Sequence, residues 1–238
     1  MESAAGLEAQ TAALTATDDN LANVHSNGFL ALVTSTQAWD PAGASRVAGT
    51  TTPIGGPVPE GVAASTTLNT APSPYTATGN ALDVAIPGTG FLAVRTVPGV
   101  AYTRNGALQV NPNGLLTDAG GDPVLTTAGT PIVVPAGAAP TIGPDGTVTA
   151  HGVTLGQLQQ VTLAGPLTAL GGSLYTGTAT PVAGAVFVPG ALNNGSNESL
   201  TAALEALVQA QNAYSADASS WHVDTQVLQQ GTQLAQLP

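Results

Sequence analysis

The chain contains no cysteine and no lysine. Without cysteine, a disulfide scaffold, a thiol nucleophile and a cysteine-ligated zinc site are all excluded. Charge is scarce as well: 7% of the 238 residues are charged, against about 25% in ordinary soluble domains. The cations are three arginines (Arg46, Arg95 and Arg104) facing 14 carboxylates, for a net charge of −11. Neutralising a phosphate backbone needs a basic face, and three scattered arginines do not make one, so a nucleic-acid partner is excluded. The same deficit argues against docking on anionic lipid. Long apolar runs are missing too. None approaches the roughly 18–20 residues of a transmembrane helix, which argues against direct membrane insertion.

What the chain does have is 29 glycines, 18 prolines, 43% hydrophobic residues and a mean hydropathy of +0.21. That is too apolar for a wholly disordered chain, and the length suits one large domain or two small ones. The N-terminal stretch Met1-Glu2-Ser3-Ala4-Ala5-Gly6-Leu7 has neither the basic nor the apolar segment of a cleaved secretory signal. A cleaved secretory signal is therefore not expected, and if the protein leaves the cytoplasm it does so by a route that reads no such peptide.

Three textures follow along the chain. Residues 3–24 are alanine-rich, with Leu7, Leu14 and Leu21 one heptad apart. That spacing predicts a helix of about six turns with a narrow apolar stripe, one that needs a packing partner. Asn23, Asn27 and Gly28 end it, glycine being suited to a left-handed stop. Residues 30–80 carry Pro41, Pro53, Pro57, Pro59, Pro72 and Pro74 among Gly, Ser and Thr and read as an extended connection with short strands at most. From 81 to 192 the pattern is β. Leu82, Val84 and Ile86 alternate, as do Leu108 and Val110, and turns stand at Asn111-Pro112-Asn113-Gly114 and Pro144-Asp145-Gly146. Short strands between such turns predict an antiparallel sandwich or irregular barrel.

The last segment, 193–238, changes again. Leu200, Leu207, Tyr214, Trp221 and Leu228 occupy one heptad position in succession, and neither Gly nor Pro interrupts residues 196–230. Ser196 or Asn197 is placed to cap this helix, with Glu198 near its positive end. A helix of roughly 35 residues would be about 50 Å long. The fold class is thus α+β: N- and C-terminal helices pairing with each other and with neighbouring subunits as a coiled-coil-like core, around a central all-β domain.

Several segments resemble one family in order. Ser3-Ala4-Ala5-Gly6-Leu7-Glu8-Ala9-Gln10, Asn20-Leu21-Ala22-Asn23-Val24 and Asn27-Gly28-Phe29 resemble the N-terminal signature of bacterial flagellar rod and hook proteins, with Ser26 or Asn27 where the family has Thr. Leu82-Asp83-Val84-Ala85-Ile86, Gly90-Phe91-Leu92 and Tyr102-Thr103-Arg104-Asn105-Gly106 continue the series. So do Asp145-Gly146-Thr147-Val148, Leu174-Tyr175, Gly190-Ala191-Leu192 and Ala210-Gln211-Asn212-Ala213-Tyr214, the last with Asn212 in place of Arg. The resemblance covers nearly all of the chain outside residues 30–78 and is closest to the proximal-rod, FlgF-type branch. A distal-rod or hook subunit is the alternative within the family. A cell-wall hydrolase and a secreted β-sandwich adhesin are the competing classes outside it.

The resemblance implies a structural, non-enzymatic subunit of the flagellar basal body. Such a subunit is exported by the flagellar type III apparatus and self-associates in a helical tube with other rod and hook proteins. The implied assembly interface comprises Leu7, Leu14, Asn20, Leu21, Asn23, Gly28, Phe29, Leu200, Leu207, Tyr214, Trp221 and Leu228. No cofactor or metal is called for. His25, His151 and His222 lack the i, i+4 spacing of helical metal ligands and read as surface or interface residues. His222 and Asp224 do not face each other on a helix, and no nucleophile elbow accompanies them. Gly88-Thr89-Gly90 lacks the third glycine of a phosphate loop. Asp118 and Asp122 flank Ala119-Gly120-Gly121 and read as turn residues rather than as a catalytic carboxylate pair. For Arg104 two readings stand: an ion pair within the domain, with Asp83 or Asp118, or a subunit contact.

Overall fold

The computed structural model describes residues 2–39, 61–193, 201–213 and 215–216. These fall into two compact units, one formed from the described parts of 1–21, 32–67 and 200–238, the other from 22–31 and 68–199.

The first unit holds helix α1 (Glu2–Ala22), strands β1 (Leu32–Trp39) and β2 (Gly61–Leu68), and a helical stretch at 201–213. Within α1 the Thr15 and Thr17 hydroxyls donate to the carbonyls of Thr11 and Ala13, four residues back, at 2.9 and 2.8 Å. That satisfies two polar β-branched side chains inside a helix. β1 and β2 pair as a two-stranded ribbon. Its side-chain contacts, Thr34 with Thr66 and Ser35 with the Ser65 carbonyl, run antiparallel. The expected helix ends close to where the structure ends it. On the C-terminal helix, the cap at Ser196 or Asn197 and the positions Glu198, Leu200, Tyr214, Trp221 and Leu228 lie outside the described residues.

The second unit is β-rich. Its strands in chain order are β3 (Tyr75–Ala77), β4 (Val84–Ala85), β5 (Gly90–Thr96), β6 (Gly99–Thr103), β7 (Gln109–Val110), β8 (Leu116–Thr117) and β9 (Pro140–Ile142). They continue as β10 (Thr147–Ala150), β11 (Val153–Gln157), β12 (Gln160–Gly171), β13 (Leu174–Pro181), β14 (Val188–Pro189) and β15 (Ala191–Asn193). β12, β13, β6 and β5 close into a barrel, and every pairing in it is antiparallel. Around it stand a three-stranded sheet, β11-β10-β9, and the two-stranded ladders β14-β4, β15-β3 and β7-β8.

The turns have local causes. His151 and Gly152 both take positive φ, 51° and 75°, the signature of a two-residue hairpin loop between β10 and β11. At Pro144-Asp145-Gly146 the Asp145 carboxylate accepts from the Thr147 amide and hydroxyl at 3.0 and 2.7 Å, which holds that exposed carboxyl below its ordinary pKa. Gly146 has φ +79°, and the Phe187 ring fills the place of its missing side chain.

β5 is buried on both faces, and its side chains divide by the two-residue period of a strand. Leu92 and Val94 enter the main core with Val84, Ile86, Ile132, Val148 and Leu158, whereas Phe91 enters a second cluster with Leu30, Val161 and Tyr175. The alternation expected at Leu82, Val84 and Ile86 does not survive, because Asp83 and Ala85 are buried too. Asp83 tolerates burial because the Thr78 hydroxyl and the Asn80 amide donate to its carboxylate at 2.6 and 3.0 Å. Leu158→Ala in the main core is expected to cost about 2–5 kcal/mol. Val153→Ala, on an exposed strand end, is expected to stay within about 0.5 kcal/mol. Urea unfolding of the two variants checks both.

Candidate functional site

The chain from the end of α1 into β1 is held by side chains bonding to backbone. Asn20, buried on α1, donates through Nδ2 to the Leu32 carbonyl at 2.8 Å and accepts the Leu32 amide on Oδ1 at 2.7 Å. One side chain thereby does for Leu32 what a neighbouring strand would do. The segment 22–31 belongs to the barrel unit. It turns at Asn23, whose carbonyl accepts from the Ser26 amide at 2.9 Å, and again where the Phe29 amide reaches the Ser26 carbonyl. Gly28 has φ +70° and lies against the Arg104–Asn105 peptide: a Cβ there would come within 2.3 Å of the Arg104 carbonyl carbon. Glycine is required twice over, by conformation and by space. Two residues on, the amide of Leu30 donates to the Tyr175 hydroxyl at 2.8 Å, in the interior.

Of the expected interface residues, Leu7 lies on α1, Leu14 and Leu21 are half-buried on it, and Leu207 is half-buried on the helical stretch 201–213. Asn23 and Phe29 are half-buried in the turn, while Asn20 and Gly28 are buried. The structure brings Asn20 to Leu32 and Gly28 to Arg104. The positions Leu200, Tyr214, Trp221 and Leu228 lie outside the described residues.

Arg104 contradicts both readings offered for it. It is fully buried, with no exposed surface to offer a neighbour, and its partners are carbonyls rather than Asp83 or Asp118. Nε donates to the Gly90 carbonyl at 3.2 Å, and the two terminal nitrogens donate to Ala71 and Thr70 at 2.9 and 2.8 Å. The guanidinium lies 4.6 Å above the centre of the Phe91 ring, and the Tyr175 ring meets Phe91 edge-on at 6.1 Å. Burial lowers the Arg104 pKa to about 10, which leaves the cation charged at neutral pH. Burial also raises Tyr175 to about 12, so its hydroxyl is neutral there. A planar fork reaching three carbonyls over an aromatic face is a task for arginine and not for lysine.

Asn193, to which the sequence assigned no role, repeats the geometry of Asn20. Its Oδ1 accepts the Ile86 amide at 2.7 Å and its Nδ2 donates to the Ile86 carbonyl at 3.0 Å, both wholly buried. Asp118 and Asp122 form a turn, with the Asp122 amide donating to the Asp118 carboxylate at 2.9 Å. Burial pushes the Asp118 carboxyl above its usual range. His25 and His151 are exposed, and His222 lies outside the described residues. Among the described residues, no three His, Asp or Glu side chains gather to hold a metal, and no helix is long and apolar enough to cross a membrane.

Residues 85–150, which span β5–β10, match the family profile described as the flagellar hook protein FlgE/F/G D1 domain. The chain is 41% identical to the flagellar basal-body rod protein FlgF of Escherichia coli K12 over 136 residues, 56% of this chain and 49% of that protein. It is 33% identical to FlgF of Caulobacter vibrioides over 143 residues, 59% of this chain and 56% of the relative. These alignments therefore span about half the length of the FlgF relatives. The flagellar basal-body rod protein FlgG of Buchnera aphidicola subsp. Schizaphis graminum aligns nearly end to end, 31% identical over 96% of both chains.

Arg104→Lys reaches fewer carbonyls and leaves buried acceptors unpaired, so it is expected to cost about 3 kcal/mol in urea unfolding. Asp118→Asn keeps the turn acceptor and removes the titration. Between the ordinary carboxylate pKa and the raised one, the folded chain holds a proton that the unfolded chain releases. That stabilises the fold at acid pH and is lost as pH rises through the window. The variant should therefore be more stable than wild type at neutral pH, with the difference vanishing below about pH 3. Parallel unfolding curves across that range check it.

Proposed function

Because the chain belongs to the flagellar basal-body rod protein family, we propose that it is a structural, non-enzymatic subunit of the rod, of the FlgF-like proximal branch. Its task is mechanical: it polymerises with itself and with other rod and hook proteins into a helical tube that transmits torque. The observation that carries this reading is the grouping of α1 and the helical stretch 201–213 in one compact unit, apart from the β-rich unit. Helices drawn from the two ends of a chain into one unit suit a subunit whose terminal helices pair as a coiled-coil-like core. Leu7, Leu14 and Leu21 would form one seam and Leu200, Leu207, Tyr214, Trp221 and Leu228 the other. The higher identity to FlgF of E. coli supports the proximal branch.

Repeated head-to-tail contacts that do not close on themselves build a filament. Few charges help here, because an unpaired charge buried between subunits costs about 3–5 kcal/mol. The subunit reaches the basal body through the flagellar type III apparatus.

Removing residues 1–21 tests the reading. The cut stops before Ala22 because 22–31, with Leu30 in the second core cluster, belongs to the barrel unit. The truncated chain is expected to remain soluble with a β-type circular dichroism spectrum. It is also expected to lose co-assembly with rod subunits and to fail to restore motility to a strain lacking the full chain. Polymerisation and motility from the truncated chain would overturn the helix-core reading.

A further inference from the structure

The chain passes between its two units four times, after residues 21, 31, 67 and 199. A bond from a side chain to backbone stands near each passage. Asn20 and Leu32 close the first two passages against each other. Within the barrel unit, Tyr175 holds Leu30, one residue before the chain leaves after 31. Arg104 holds the carbonyls of Thr70 and Ala71, just after the chain returns at 68. Asn193, at the end of β15 and the last described residue before the fourth passage, holds both polar groups of Ile86. The bonds of Tyr175 and Asn193 at these places are wholly buried, and Arg104, itself fully buried, adds to its partly buried bonds at Thr70 and Ala71 a wholly buried one to the Gly90 carbonyl of β5.

The anchors tie the connections to the strongest part of the unit. Tyr175 and Arg104 stand on or beside β13 and β6, two strands of the closed barrel, and share the Phe91 ring of a third. Ile86 lies in the main core. A pull arriving along the chain at 31, 68 or 193 therefore meets a bond to a buried side chain or core residue of the barrel unit before it reaches an unfastened segment.

We propose that Tyr175, Arg104 and Asn193 are tension anchors. They fasten the barrel ends of the connecting segments, so that force on the chain is resisted by shear of the closed barrel instead of peeling the connections away one at a time. The proposal rests on the positions of these bonds and not on the rod reading.

Single-molecule force spectroscopy on the full chain, with handles at residues 1 and 238, tests it. Wild type is expected to lose the barrel unit in one event. Tyr175→Phe, which removes one hydroxyl and keeps the ring, should add an earlier, weaker step as residues 22–31 come free. At roughly 3.3–3.6 Å per residue, that step lengthens the chain by about 35 Å. Asn193→Ala should likewise lower the force of the first event. Val148→Ala, a main-core change away from every passage, serves as the stability control and should keep a single event. Indistinguishable traces for the anchor variants and Val148→Ala would overturn the proposal. Hydrogen exchange on the full chain gives a second readout. In Tyr175→Phe the Leu30 amide should exchange about tenfold faster while the Val94 amide is unchanged. Equal protection of Leu30 in both proteins would also overturn it.

Discussion

One buried cation organises the barrel unit. A guanidinium cannot leave water unless its donors are met, and among the described residues carbonyls, not carboxylates, meet those of Arg104. Its three carbonyl partners come from β5 and from the segment just after β2. These carbonyls must converge on a single plane, and the Phe91 ring must lie beneath it. Phe91 in turn sets the edge of Tyr175, and the Tyr175 hydroxyl sets the amide of Leu30. The peptide that follows Arg104 sets how closely the backbone of Gly28 approaches. Four parts of the chain that are remote in sequence are thus ordered around one residue. Desolvation is the main effect on its pKa, yet not a large enough one to discharge it.

Much of the rest of the unit is held by neutral groups. Threonine hydroxyls, asparagine amides and backbone do the work that ion pairs do in more highly charged proteins. Asn111 accepts the amides of Asn113 and Leu115, Asn105 accepts that of Ala107, and the hydroxyls of Thr126 and Thr130 meet at 3.0 Å. Each such bond contributes about 0.5–1.5 kcal/mol, and many of them pin short ladders that have little intrinsic stability. A chain so poor in charge therefore still makes sharp, well-defined turns.

What could be read from the sequence was what acts locally. The helix stop near Asn23 and Gly28, the turns at Asn111–Gly114 and Asp145–Gly146, and a β-rich centre all follow from residues a few positions apart. What could not be read depends on closure over long distances. Tyr175 reaches Leu30 across 145 residues, and Asn193 reaches Ile86 across 107. Arg104 had seemed to need an acid, because a lone arginine in an uncharged stretch invites one. Its carbonyl partners carry no signal in the identity of their side chains, and that is why neither expectation for it survived. Asn20 was singled out through a resemblance, but its bond to Leu32 required the ribbon to be in place.

The burial of Arg104 also determines how the protein meets proteases that cleave after basic residues. With no lysine and three arginines, the chain contains very few bonds of that kind. The one after Arg104 lies inside the barrel unit, its side chain held by three carbonyls and its carbonyl carbon pressed against Gly28. A trypsin-like enzyme can cut there only when the barrel has opened. Scission at that bond therefore counts openings of the barrel unit, and the chain carries its own reporter of that unit's unfolding.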